Sequence, residues 1–157
     1  MDKNGFTYIE LVITVSIIAI LAAVIMPLSQ LSSKRAKEAE LRQNLRVIRT
    51  AIDDYKRAWD EGRIKKSIGE SGYPPDLMTL VEGIEDAASP QSGKMIRFLR
   101  RVPRDPMAED KDIGPEETWG LRSYQSPPDE PEEGDDVFDV YSKSEGQAID
   151  GTYYRDW

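Results

Sequence analysis

The chain has no cysteine and no histidine. The first absence excludes disulfide frameworks, thiolate zinc sites and cysteine nucleophiles, and the second excludes serine-histidine-aspartate triads. Neither fixes a redox compartment, because oxidising compartments permit disulfides without requiring them. No internal repeat is visible. Of the 157 residues, about 28 form a leader and an apolar run, which leaves material for one modest soluble domain with one core.

Charge is present but unevenly placed. Residues 29–66 carry eleven basic and six acidic side chains, a balance of +5, whereas residues 103–157 carry five basic and sixteen acidic, a balance of −11. Opposed blocks of this kind set register between copies of a chain, or simply solvate two faces. A nucleic-acid partner is disfavoured, since the basic residues lie on an amphipathic helix beside an acidic domain.

The amino-terminal segment is the most specific. Five residues ending in Gly5 precede Phe6-Thr7-Tyr8-Ile9-Glu10, and an apolar run from Leu11 to Leu28 follows, broken only by Thr14, Ser16 and Pro27. A secretory leader places its cleavage site after the apolar region, but the candidate cut at Gly5-Phe6 precedes it. The run reaches the minimum length for one bilayer-spanning helix. A carboxylate at the edge of such a helix is costly, which makes Glu10 either a functional group with a partner or an interfacial glutamate reaching water. Pro27 removes a backbone hydrogen bond, so it loosens the helix near Ala23 to Met26 or marks the end of the apolar span.

Beyond Ser29 the periodicity turns one-sided. Leu41, Leu45, Ile48, Ile52, Tyr55 and Trp59 recur at helical spacing, with Lys34, Arg35, Lys37, Arg42, Arg46 and Arg49 mostly off that stripe. One long helix is therefore expected from Phe6 to about Glu61, with Gly62 as its stop. Asp76 is a good N-cap for a short helix ending at Gly83. Met95 to Val102 reads equally as helix or strand, and Pro103-Arg104-Asp105-Pro106 is extended. Trp119 to Tyr124 and Asp136 to Ser142 alternate as strands. Pro127 to Asp135 between them is an acidic loop too polar to pack. Tyr153, Tyr154 and Trp157 suggest a terminus that docks back on the domain.

Gly5-Phe6-Thr7-Tyr8-Ile9-Glu10-Leu11 resembles the processing site of type IV prepilins and type II secretion pseudopilins. Val102-Pro103-Arg104-Asp105-Pro106, Trp119-Gly120 with Tyr124, Asp139-Val140-Tyr141-Ser142 and the final Asp156-Trp157 are similar to the major pseudopilin of type II secretion. Between Ile84 and Lys94 and in Met107 to Thr118 the resemblance fades.

The resemblance implies an α+β, pilin-like fold: a long amino-terminal helix, membrane half then amphipathic half, packed on a small antiparallel β-sheet domain. It implies a leader over 1–5, a transmembrane and filament-core helix over 6–28, an amphipathic helix over 29–61, and a globular domain over 62–157. It further implies cleavage after Gly5, N-methylation of Phe6, an assembly role for Glu10 and a helix bend at Pro27. Polymerisation into a periplasmic pseudopilus is expected, with a prepilin peptidase, minor pseudopilins and a secretion assembly platform as partners. The implied location is the bacterial inner membrane, crossed once, with the domain in the periplasm. The basic residues after the run, read by the positive-inside rule alone, favour the opposite topology.

The family's last loop binds calcium. Here Ser142, Glu145 and Asp150 are chemically eligible oxygen ligands, but the loop is shorter than usual and contains Lys143, so a tight turn at Asp150-Gly151 without an ion is the alternative. A type IV pilin of a surface fibre is the near alternative function, although such pilins often close a loop with a disulfide. A membrane-tethered binding module or hydrolase, using Asp135, Asp136 and Asp139 as paired carboxylates, is the distant one. No enzymatic activity is expected.

Overall fold

The computed structural model describes residues 7–67, 69–90 and 93–157, without the side chains of residues 24 and 26–28. The fold is α+β: a long amino-terminal helix with small two-stranded antiparallel sheets. Helix α1 runs Tyr8–Asp60, close to the expected span. Thr7 caps it, its hydroxyl accepting from the Glu10 backbone N–H at 3.3 Å. The chain divides into two compact units, Met1–Ala36 and Lys37–Trp157. Residues 37–60 of α1 thus belong to the same compact unit as the rest of the chain that follows.

The location expected from the leader needs correction. Among the described residues no helix is long and apolar enough to cross a membrane. The apolar stretch of α1 follows the carboxylate of Glu10 and is interrupted by the hydroxyls of Thr14 and Ser16, and polar groups of this kind are costly within hydrocarbon. A single-pass inner-membrane location, with the domain placed in the periplasm on that basis, is therefore withdrawn.

Within the globular unit, Leu41, Leu45, Ile48, Ile52, Tyr55 and Trp59 are all buried, as the spacing predicts. Each contributes on the order of 1.5–3 kcal/mol by leaving water. Their cover comes from helix α2, Leu77–Glu82, from Val102, Trp119, Val137 and Val140, and from Ala148 and Tyr154 near the carboxyl terminus.

Helix α2 begins as expected: Asp76 Oδ1 accepts from the Thr79 N–H at 2.7 Å and from its hydroxyl at 2.9 Å. Gly83 ends it at φ 86°, in the left-handed region that glycine tolerates.

Strand β1, Ile84–Glu85, pairs antiparallel with β2, Met95–Ile96, resolving the helix-or-strand ambiguity at Met95. Strand β3, Trp119–Arg122, pairs antiparallel with β4, Asp139–Ser142, with Gly120 opposite Tyr141. Both strands are shorter than the alternation suggests, because Ser123 leaves the ladder, donating its hydroxyl to the Asp136 carboxylate and its N–H to the Glu132 carbonyl. The acidic segment between them has no regular structure and is exposed over residues 127–135.

Candidate functional site

The first turns of α1 present an apolar surface that no described residue of their own unit covers. Ile9, Ile13, Ile17 and Ile20 follow one another at helical spacing and are each more than half exposed, and Leu11, Val15 and Ile18 repeat the pattern farther round. The surface is apolar on all sides. Its two hydroxyls are satisfied within the helix: Thr14 donates to the Leu11 carbonyl at 2.9 Å and Ser16 to the Val12 carbonyl at 2.7 Å. They add no polar demand on a packing partner. Large contiguous apolar patches on a folded chain mark interaction sites.

Glu10 sits on this arm, exposed, in the first turn of α1. Thr7 and Glu10 have the spacing of a capping box, a local role that the sequence reading did not include. A carboxylate in a first helical turn is favoured by the unpaired N–H groups there. Its side chain has no ion-pair partner among the described residues, so it is available to a cation brought by another molecule. Gly5 and Phe6, the proposed cleavage and methylation positions, lie outside the described residues, as does the side chain of Pro27; the helical span of α1 includes position 27.

The structure does not gather the three candidate calcium ligands. Ser142 is fully buried and donates to Asp105 Oδ2 at 2.6 Å. Asp150 Oδ1 accepts from the Thr152 N–H at 3.1 Å and hydroxyl at 2.6 Å, and its other oxygen meets Arg42 at 3.3 Å. The Thr152 bonds hold the Asp150 carboxyl below the usual carboxylate range, with Arg42 adding to the effect. Glu145 is exposed. Gly151 turns at φ 87°, and its N–H bonds the Ala148 carbonyl at 3.1 Å. Asp150-Gly151 is therefore a turn closed by its own side chain. Among the described residues no group of three or more carboxylates is placed to hold a metal.

Three side chains to which the sequence reading gave no fastening role hold this loop and its neighbours to the rest of the unit. Glu38, buried, receives the Ile149 N–H at 2.9 Å and the Tyr154 hydroxyl at 3.1 Å on one oxygen. Arg49 binds Asp139 at 2.7 Å, the Val140 carbonyl at 3.0 Å and the Trp157 carbonyl at 2.6 Å. Asp105, also buried, accepts from the Met107 N–H at 2.7 Å as well as from Ser142. Trp157 docks as its aromatic character predicts, with Arg42 over its ring.

The carboxylates considered for acid-base chemistry are dispersed among structural roles. Asp139 pairs with Arg49, and Asp135 is exposed. Asp136 accepts from the Ser123 hydroxyl at 2.8 Å and the Tyr124 N–H at 2.9 Å. Burial opposes ionisation of Asp136, but the bonds from Ser71, Tyr124 and Ser123 prevail and hold its carboxyl below the usual range.

Comparison of the chain with family models, with curated proteins and with solved structures yields no match.

Proposed function

We propose that this chain is a structural subunit, pilin-like in fold, that polymerises into a pseudopilus of type II protein secretion. The observation that carries this reading is the uncovered apolar arm of α1 between Tyr8 and Ile25. Packing such arms together in a filament core removes them from water, and a few fully buried isoleucines per subunit contribute several kcal/mol.

Glu10 supplies register. Cleavage after Gly5 creates an α-amino group on Phe6, and the carboxylate neutralises that amine when a neighbouring subunit presents it. Burying the pair costs desolvation, so it selects the correct stagger more than it adds stability. Contacts that repeat without closing generate an open helical polymer. A prepilin peptidase, minor pseudopilins and an assembly platform are the partners this reading requires.

Mass spectrometry of the protein isolated from its native host tests the processing step. An amino-terminal peptide beginning at Phe6 and carrying one extra methyl group is expected; functional material beginning at Met1 would contradict it.

A further inference from the structure

The globular unit carries two exposed charge clusters of opposite sign that its own fold leaves unpaired. One is the row Arg97, Arg100 and Arg101, with Lys94 adjoining. The other is the loop bearing Asp129, Glu130, Glu132, Glu133 and Asp135. Neither cluster contributes to any ion pair among the described residues.

The arginine row is held on fixed backbone. The Phe98 and Leu99 N–H groups both donate to the Leu80 carbonyl, at 3.0 and 2.9 Å, while Leu99 and Val102 are buried in the core. The side chains between these anchors project from an ordered base. Arginine presents a planar fork of donors that meets carboxylates in pairs, and it is less strongly hydrated than lysine. These are the most closely grouped unpaired arginines among the described residues.

The acidic loop is also tethered at its base. The Ser123 N–H bonds the Glu132 carbonyl at 2.9 Å, and Asp136 takes bonds from Ser123 and Tyr124. Pro127, Pro128 and Pro131 restrict the backbone between the tethers, so docking the loop sacrifices less conformational freedom than a glycine-rich loop would.

We infer that the Arg97-Arg100-Arg101 row of one copy docks the 129–135 acidic loop of the next. The inference rests on the filament reading above and specifies a globular contact that accompanies the packing of the arms. Two different patches on one molecule that recognise each other make a heterologous contact, which propagates along an open filament. Charges at a rim of this kind fix partner orientation and speed encounter more than they add affinity.

Charge reversal tests it in the full-length chain. Four forms are compared for filaments by electron microscopy: the parent, Arg100→Glu with Arg101→Glu, Glu132→Lys with Glu133→Lys, and all four changes together. The expected result is loss of filaments in each reversed pair and their recovery in the fourfold variant. Parent filaments that persist in both reversed pairs, or no recovery in the fourfold variant, overturn the inference and leave the filament reading standing. A parent that never assembles overturns both. Because the chain has no native cysteine, Arg101→Cys with Glu133→Cys adds a second readout: under oxidation, disulfide-linked ladders of copies support the contact, and monomers recovered from parent-like filaments oppose it.

Discussion

One oxygen of Glu38 accepts hydrogen bonds from both the Tyr154 hydroxyl and the Ile149 backbone N–H, joining the helix to a segment more than a hundred residues away in the chain. The carboxylate is buried, and both donors lie in the carboxy-terminal segment it holds.

Glu38→Ala leaves the Ile149 N–H and the Tyr154 hydroxyl without their acceptor, at a cost on the order of 1–3 kcal/mol. Denaturant unfolding reads the loss, and hydrogen exchange should show faster opening over residues 146–157 than in the rest of the unit.

Burial first, and the hydrogen bond to Glu38 next, push the Tyr154 hydroxyl from its ordinary 10.0 up to about 12. Folding therefore favours the protonated phenol. The stability it provides is complete below pH 10 and is lost as pH rises through about 12. Tyr154→Phe should flatten part of this alkaline decline. Tyr55 and Tyr73, both raised mainly by burial, act in the same direction. An identical pH profile for Tyr154→Phe would remove Tyr154 from the explanation.

Gly83 combines a φ of 86° with close approach of the Ile96 carbonyl and the Arg97 side chain. Gly83→Ala forces a side chain into the left-handed region against backbone, with a penalty of roughly 1–3 kcal/mol. A lowered thermal midpoint is expected, whereas Gly62→Ala meets no neighbour within 4 Å and bears only the backbone penalty.

Asp150 closes its turn through Thr152 and Arg42, which leaves the turn formed without an added ligand. Calcium and a chelator should give the same thermal midpoint for the full chain, and Asp150→Ala should lower it equally in either condition. A midpoint that rises with calcium and loses that rise in Asp150→Ala would restore a metal role to Ser142, Glu145 and Asp150.

Much of this fold is legible in sequence where the signal is periodic or local. The stripe from Leu41 to Trp59 repeats often enough to define a buried face, and Asp76 with Gly83 brackets α2 with local cap chemistry. The strands β1 and β2, two residues each, are too short to carry a period, so Met95 stayed ambiguous. Glu38, Arg49 and Asp105 were hidden for a different reason. Nothing near them in sequence distinguishes a buried, bonded charge from a solvated one, since their partners lie far along the chain. The apolar run from Leu11 carried the opposite error: its composition suggested a membrane span, but among the described residues no helix is both long and apolar enough for one.

Thr7→Ala and Glu10→Ala separate capping from assembly. Thr7→Ala removes the hydroxyl acceptor at the helix start, worth about 1 kcal/mol, and should leave polymerisation intact. Glu10→Ala keeps the backbone N–H bonded to Thr7 and should impair polymerisation. Equal filament yields from the two variants would show that the carboxylate has no register function.

The most direct test of the filament role is electron microscopy of the full-length chain beside Ile13→Lys with Ile17→Lys. Both positions are exposed on the arm, so the globular unit should keep its thermal midpoint. Filaments from the parent and none from the double variant are expected. A parent that remains monomeric under assembly conditions, or a double variant that assembles normally, would contradict the arm as the polymerisation core.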